Sequence, residues 1–167
     1  MIKTDYLVEL ETRIDSNNAK IAVIGLGYVG LPTAIAFHKA GFDVTGIDSS
    51  STVIKSLEGE TSPITNELGM ELPRGSRWKV TTEFDNHVQL CDLAIICVPT
   101  PVDKSLRPDV SSVLSALDST IKAKNNDGKI VIILESTVQP GTTRSSIDKL
   151  ARKYPGSREK ILMAYCP

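Results

Sequence analysis

Short runs of apolar, largely β-branched residues alternate along this chain with stretches in which apolar residues recur every three or four positions. The first pattern predicts strands and the second predicts amphipathic helices. Strands are predicted at residues 20–24, 43–47, 78–82, 93–98, 130–134 and 161–165. Strands that alternate with helices are typical of a parallel sheet covered on both faces. We therefore predict an α/β fold with a doubly wound, six-stranded parallel sheet, strand order 3-2-1-4-5-6, and helices on both faces.

The helical pattern predicts an N-terminal helix over residues 5–16 and further helices between the strands. Tyr6, Leu7, Leu10 and Ile14 form the predicted apolar face of the first helix. A second helix is predicted over residues 31–40, a third capped by one of the serines at 49–51, a fourth capped by Asp109, and a fifth after residues 140–141. Residues 61–76 and 99–108 are predicted to be irregular, and residues 125–128 to form a turn. We predict a helical extension over residues 1–19 and one domain over residues 20–167.

Composition narrows the possible functions. Of 167 residues, 41% are hydrophobic and 23% charged, which is typical of one soluble globular domain. The net charge of −1 offers no basic field for nucleic acid or for a membrane surface. The absence of a spanning-length apolar run and of a signal-like N-terminus predicts a cytoplasmic protein with no membrane partner. Cys91, Cys97 and Cys166, with His38 and His87, form no metal-type spacing, so no metal site is predicted.

A glycine-rich segment, GLGYVG at residues 25–30, separates the first predicted strand from its helix. This G-x-G-x-x-G pattern is informative because a strand precedes it and a helix follows it. In a Rossmann-type dinucleotide site, Gly25 permits the sharp turn, Gly27 lets the backbone approach a pyrophosphate, and Gly30 lets the helix pack closely on the strand. The helix start then offers N–H groups and a favourable dipole to the phosphates. Tyr28 and Val29, which lie inside the run, are predicted to face the cofactor.

The predicted cofactor is NAD. Asp48 ends the second predicted strand, 18 residues beyond Gly30. A carboxylate there can accept hydrogen bonds from the adenosine ribose and repels the 2′-phosphate of NADP. The alternative is that the glycines only form a turn and that Asp48 only caps a helix.

Three further motifs occur in one order along the chain: IGLGYVGLP from residue 24, CVPTP from residue 97 and ESTVQPGTT from residue 135. Together with SPI from residue 62 and YCP at the end, they resemble the UDP-glucose/GDP-mannose dehydrogenase family. The resemblance runs from Lys20 to Pro167. The Glu-Ser-Thr sequence at residues 135–137 and the N-terminal helix look most like those of the branch that oxidises UDP-N-acetylhexosamines.

The resemblance implies that two successive NAD-dependent oxidations convert the C6 alcohol of a UDP-sugar to a carboxylate. It places Val98, Pro99 and Thr100 along the cofactor and Thr137 near the nicotinamide, where Thr137 can help to hold a water. Ser136 is also expected to bind the cofactor. Without the resemblance, the two hydroxyl residues would be interpreted as satisfying backbone groups at a strand end.

Two departures from the family pattern stand out. Val53 occupies a position where the family usually has a basic residue near the adenosine, and Lys55 is a partial substitute. The family's catalytic cysteine, its other catalytic residues, its central dimerising helix and its sugar-binding domain are expected outside this chain. We therefore expect the fragment to be a monomer or weak dimer, although full-length members are homo-oligomers.

Three hypotheses remain at this point. The first is the NAD-binding domain of a nucleotide-sugar 6-dehydrogenase, which binds NAD without turnover when alone. The second is a freestanding, non-catalytic NAD-binding regulatory or interaction module. The third is another dehydrogenase family that shares only the fold. Cys97 is interpreted as a small buried thiol rather than a nucleophile, and His38 as a surface or packing residue rather than a base.

Overall fold

A computed structural model describes residues 4–102, 108–124 and 128–166. It contains a six-stranded, wholly parallel sheet with the order β3-β2-β1-β4-β5-β6, which confirms the predicted fold class and topology. The strands are β1 (Lys20–Ile24), β2 (Asp43–Ile47), β3 (Trp78–Thr81), β4 (Leu93–Ile96), β5 (Ile130–Leu134) and β6 (Ile161–Tyr165). Ile24 is in register with both Ile47 and Ile96, so the carboxyl ends of the central strands meet at one edge.

Helices cover both faces of this sheet. They are α1 (Thr4–Asp15), α2 (Gly30–Lys39), α3 (Ser51–Glu58), α4 (Pro63–Leu68), α5 (Asp85–Val88), α6 (Ser111–Ala123) and α7 (Thr142–Lys153), with a 3₁₀ turn at Ser157–Glu159. None of the helices in the described ranges is long and apolar enough to cross a bilayer.

Two apolar layers hold the helices on the sheet because alternate strand residues point to opposite faces. On one face, α1, α2 and α3 pack on side chains that include Ile21, Val23 and Ile95. On the other face, α5, α6 and α7 pack on side chains that include Ile96 and Ile132. Each such aliphatic side chain, removed from water, contributes about 1.5–3 kcal/mol to the free energy of unfolding.

Helix α1 is fastened to the amino-terminal edge of the sheet. The carboxylate of Asp92, which directly precedes β4, accepts the N–H of Lys20 at 2.9 Å and a guanidinium N–H of Arg13 at 2.8 Å. Leu10 is buried against the sheet, but Leu7 and Ile14 are 39% and 38% exposed. The predicted apolar face of α1 is therefore only partly covered, because Leu10 and Tyr6 pack against the core and Leu7 and Ile14 remain at its margin.

Other elements depart from their predicted bounds. Residues 61–76 were predicted to be irregular, but α4 lies within them. Strand β4 ends at Ile96 rather than at Val98, which leaves the following residues free to form the loop at the carboxyl edge. Asp109 accepts the N–H of Ser111 at 2.9 Å, although Val110 is the residue that flanks α6. The predicted turn at 125–128 and loop at 99–108 lie partly outside the described residues.

Candidate functional site

A cavity of about 1040 Å³ opens at the carboxyl edge of the sheet, where β1 separates β2 from β4. In doubly wound sheets, ligands bind at this edge where the strand order reverses. The ends of β1, β2, β4 and β5 form one part of the wall and α6 forms another. The described lining residues include Gly25, Gly27, Tyr28, Val29, Asp48, Val98, Pro99, Thr100, Ser136 and Thr137, which are ten of the eleven predicted cofactor residues.

Gly30, the eleventh, lies behind the cavity wall. A Cβ on Gly30 would come within 1.8 Å of the carbonyl oxygen of Gly25, so no other residue fits without moving the loop. Gly25 itself has φ of +90°, a conformation that favours glycine, and donates its N–H to Ile47 O at 2.8 Å. These contacts fold the glycine loop tightly between β1 and α2.

Gly27 faces open space, because a Cβ built there meets nothing within 4 Å. Within the described ranges, the N–H groups of Gly27, Tyr28 and Val29 have no protein acceptor. They lie at the start of the ten-residue helix α2, whose dipole favours negative charge at that end. The loop therefore fits the pyrophosphate of a dinucleotide.

Asp48 follows β2 and is held on both sides by backbone donors. Its Oδ2 accepts the N–H of Leu26 in the glycine loop at 2.9 Å, and its Oδ1 accepts the N–H of Ser50 at 2.8 Å. The Ser50 hydroxyl in turn caps α3 by accepting the N–H of Val53 at 3.3 Å. The carboxylate thus lies beside the glycine loop, where the oxygens keep further acceptor capacity towards the cavity.

The loop after β4 is tied to the end of β5. The Ser136 hydroxyl is buried and donates to Val98 O at 2.6 Å, and the Ser136 N–H donates to Ile96 O at 3.3 Å. Thr137, the next residue, is exposed at the cavity wall. Ser136 therefore has a structural contact in addition to its place in the lining.

Tyr28 connects the glycine loop to α4. Tyr28 is 63% exposed, and its phenol donates to Oε2 of Glu67 at 2.7 Å. This hydrogen bond raises the pKa of Tyr28 above its ordinary value. Helix α4 is therefore joined to the rim of the cavity.

Several lining residues were not predicted. Ser111, Ser115 and Ser119 recur every four positions and, with Ser112, line the cavity from α6, while Thr82 and Phe84 line it after β3. The four-residue spacing was visible in the sequence, but it describes any polar helix face. Glu135, which was quoted only as part of a motif, also belongs to the wall.

Two thiols are protonated donors: Cys97 at the cavity wall and Cys91 before β4, at the amino-terminal edge of the sheet. Burial, together with the nearby Glu135 carboxylate, raises the pKa of Cys97, whose Sγ donates to Glu135 Oε2 at 3.2 Å. Burial raises the pKa of Cys91 to about 12. A thiol needs its thiolate form to act as a nucleophile, so neither group is activated.

His38 packs its ring against Trp78, with 5.7 Å between centroids. No three His, Cys, Asp or Glu side chains of the described segments group as a metal site.

Comparisons with known proteins identify the family. Residues 19–167 match the model of the UDP-glucose/GDP-mannose dehydrogenase family, NAD binding domain. A UDP-N-acetyl-D-mannosamine dehydrogenase of Methanocaldococcus jannaschii is 35% identical over 93% of this chain and 36% of its own length. A UDP-N-acetyl-D-glucosamine 6-dehydrogenase of Pseudomonas aeruginosa is 34% identical over 89% of this chain and 35% of its own length.

A solved structure of a related dehydrogenase supports the same family assignment. The UDP-N-acetyl-mannosamine dehydrogenase of S. aureus superposes with a TM-score of 0.75 at 33% identity, over 89% of this chain and 36% of that one. The chain thus spans about a third of the length of these relatives. It belongs to the UDP-glucose/GDP-mannose dehydrogenase family, of which it comprises the NAD-binding domain.

Proposed function

We propose that this chain is the cofactor-binding part of an NAD-dependent UDP-sugar 6-dehydrogenase of the UDP-N-acetylhexosamine branch, which oxidises the sugar C6 alcohol to a carboxylate. The names of the relatives support this substrate class. The observation that carries the cofactor assignment is the hydrogen bond of 2.9 Å between the Asp48 carboxylate and the glycine loop, on the wall of one cavity. The freestanding, non-catalytic module is not favoured, because these relatives are dehydrogenases.

Nine of the eleven predicted residues have a direct role in this proposal. The N–H groups of Gly27, Tyr28 and Val29 hold the pyrophosphate, and Asp48 accepts hydrogen bonds from the adenosine ribose. The loop at Val98, Pro99 and Thr100 lies along the dinucleotide. Ser136 and Thr137 lie at the nicotinamide end, where the Thr137 hydroxyl helps to hold a water. NAD, when bound, supplies the hydride acceptor.

We also propose a preference for NAD over NADP. Asp48 repels a 2′-phosphate, and none of the described residues that line the cavity is a lysine or arginine. The resemblance leads one to expect a basic residue at position 53, but Val53 packs from α3 against the core. Lys55 does not line the cavity either. A 2′-phosphate would therefore meet a carboxylate without a compensating cation.

Further proposals concern the partner, the domain organisation, the oligomeric state and the location. We propose that the UDP-sugar binds to a domain that family members have in addition to the one described here. The thiol that traps the intermediate aldehyde belongs to that additional part as well. We propose that residues 1–19 form an extension, that residues 20–167 form the NAD-binding domain, and that the isolated domain is a monomer or weak dimer. A cytoplasmic location fits the three free thiols Cys91, Cys97 and Cys166.

Calorimetric titration with NADH and with NADPH tests the cofactor assignment. We expect NADH to bind and NADPH to bind at least about tenfold more weakly, equivalent to about 1.4 kcal/mol. Equal affinities would contradict the NAD preference. Failure of both to bind the folded protein would contradict the assignment of the cavity.

A further inference from the structure

Glu135 places a carboxylate inside the cavity at the end of β5. Its backbone N–H donates to Ile96 O at 3.0 Å, which fixes it beside the end of β4. Its side chain is partly buried and lines the cavity. The roles proposed above for the lining residues do not use this group.

Neutral donors hold the carboxylate. Glu135 Oε2 accepts the thiol of Cys97 at 3.2 Å and the hydroxyl of Thr33, in the first turn of α2, at 3.5 Å. Because the Cys97 pKa is raised, the thiol remains a donor and adds no charge of its own. Across the described segments, no lysine, arginine or histidine forms an ion pair with Glu135. Its negative charge therefore faces the cavity without a cationic partner there.

The position of Glu135 along the dinucleotide follows from the proposed function, on which this inference rests. Asp48 at the end of β2 fixes the adenosine side, and the glycine loop after β1 fixes the pyrophosphate. The two mononucleotide halves of a doubly wound sheet lie on either side of the switch point. The ends of β4 and β5, including Glu135, therefore serve the nicotinamide half.

We propose that Glu135 tunes the redox preference of this site, favouring oxidised NAD⁺ over NADH. The nicotinamide ring carries a positive charge in NAD⁺ and none in NADH. A fixed carboxylate in a partly desolvated cavity attracts that charge more strongly than it would in water. Reduction removes the attraction, so the same side chain weakens retention of the reduced product relative to the oxidised reactant. Glu135 thus favours exchange of NADH for NAD⁺ between two successive oxidations.

The test is the ratio of the NADH and NAD⁺ dissociation constants, measured by calorimetry on the protein and on Glu135→Gln. Glutamine has the same shape and can still accept from Cys97 and Thr33, but it is uncharged. We expect the substitution to shift the ratio about tenfold in favour of NADH, mainly through weaker NAD⁺ binding. A purely structural role would weaken both cofactors equally and leave the ratio unchanged, which would overturn the inference.

Three further variants complete the design. Glu135→Asp keeps the charge and is expected to keep the ratio within about twofold. Glu135→Ala removes the charge by a second route and must shift the ratio in the same direction as glutamine. Glu11→Gln is the matched control, because it makes the same change in net charge at an exposed position of α1, which is fastened at the opposite edge of the sheet. If the glutamine and alanine variants bind both cofactors with an unchanged ratio of dissociation constants, only this inference is refuted. If either cofactor fails to bind the unmodified protein, the proposed function itself is refuted.

Discussion

The carboxylate of Asp48 accepts the N–H of Leu26 at 2.9 Å, and this contact joins the end of β2 to the glycine loop after β1. Two segments that are 22 positions apart in sequence are thereby held as one binding surface. The ribose and pyrophosphate contacts proposed above share this junction, so a change at Asp48 affects both.

Asp48→Ala should weaken NADH binding by about 1.5–3 kcal/mol, the usual contribution of hydrogen bonds to a charged acceptor. The variant also frees the N–H groups of Leu26 and Ser50, so its melting temperature should fall. Calorimetric titration with NADH measures the first effect and thermal unfolding the second. Asp48→Asn is the matched control, since its amide oxygen keeps one acceptor without the charge. Undiminished NADH affinity in the alanine variant would contradict the ribose assignment.

Two glycine substitutions should have opposite consequences. A methyl group at Gly30 would collide with Gly25 O, so Gly30→Ala should destabilise the fold by about 1–3 kcal/mol or more. A methyl group at Gly27 meets open space, so Gly27→Ala should fold normally but obstruct the pyrophosphate and weaken NADH binding. Urea unfolding and NADH titration of both variants separate the two effects. Normal NADH affinity in a well-folded Gly27→Ala protein would show that the phosphates lie elsewhere.

Alkaline pH should destabilise the protein partly through Cys91. Burial raises the pKa of this thiol from 9.0 to about 12 in the folded state. A group with a raised folded pKa contributes stability that is complete below its unfolded pKa and is lost as the pH rises towards the folded one. The free energy of unfolding should therefore decline above about pH 9, and Cys91→Ala should decline less steeply. Urea unfolding across that range gives the slopes, with Cys166→Ala, which replaces an exposed thiol, as control. Parallel slopes in the protein and in Cys91→Ala would contradict the assignment.

The purified 167-residue chain should bind NAD but should not oxidise UDP-sugars. The physical reason is that Cys91 and Cys97 are held as protonated thiols, and the resemblance places the nucleophilic cysteine outside this chain. The measurement is NADH absorbance in the presence of NAD and either UDP-glucose or UDP-N-acetylglucosamine. Sustained NADH production by this polypeptide would disprove the proposal that this chain binds the cofactor but does not supply the nucleophilic thiol.

The sheet could be predicted because its central strands are unbroken apolar runs, as in β4 and β5, and because glycine and proline mark their ends. Helix α4 could have been found as well. Ser62 precedes it, Pro63 occupies the first turn and Gly69 ends it in a left-handed conformation with φ of +63°. Proline within the first turn and glycine after the end are typical of helices. The prediction was wrong because both residues were interpreted only as turn formers.

The unpredicted part of the cavity wall depends on tertiary packing. The row of serines on α6 has the same spacing as a solvent-exposed helix face, and only the crossing of α6 over the sheet edge turns part of it towards the cavity. Glu135 likewise accepts a hydrogen bond from Thr33, which is 102 positions away in sequence. Neither relationship has a local signature, because each depends on the way in which distant segments meet.

The hydroxyl of the buried residue Ser136 joins the end of β5 to the loop after β4, whereas the hydrogen bond from the Tyr28 phenol to Glu67 of α4 is exposed at the rim. A buried hydrogen bond resists opening more than one that water can replace. We therefore expect the wall formed by the loop after β4, beside the proposed nicotinamide position, to stay rigid while a dinucleotide enters or leaves. The contact between Tyr28 and Glu67 at the rim is the part that we expect to yield. On this basis, substitutions at Glu67 should change the rates of cofactor exchange more than the equilibrium between the oxidised and reduced bound forms.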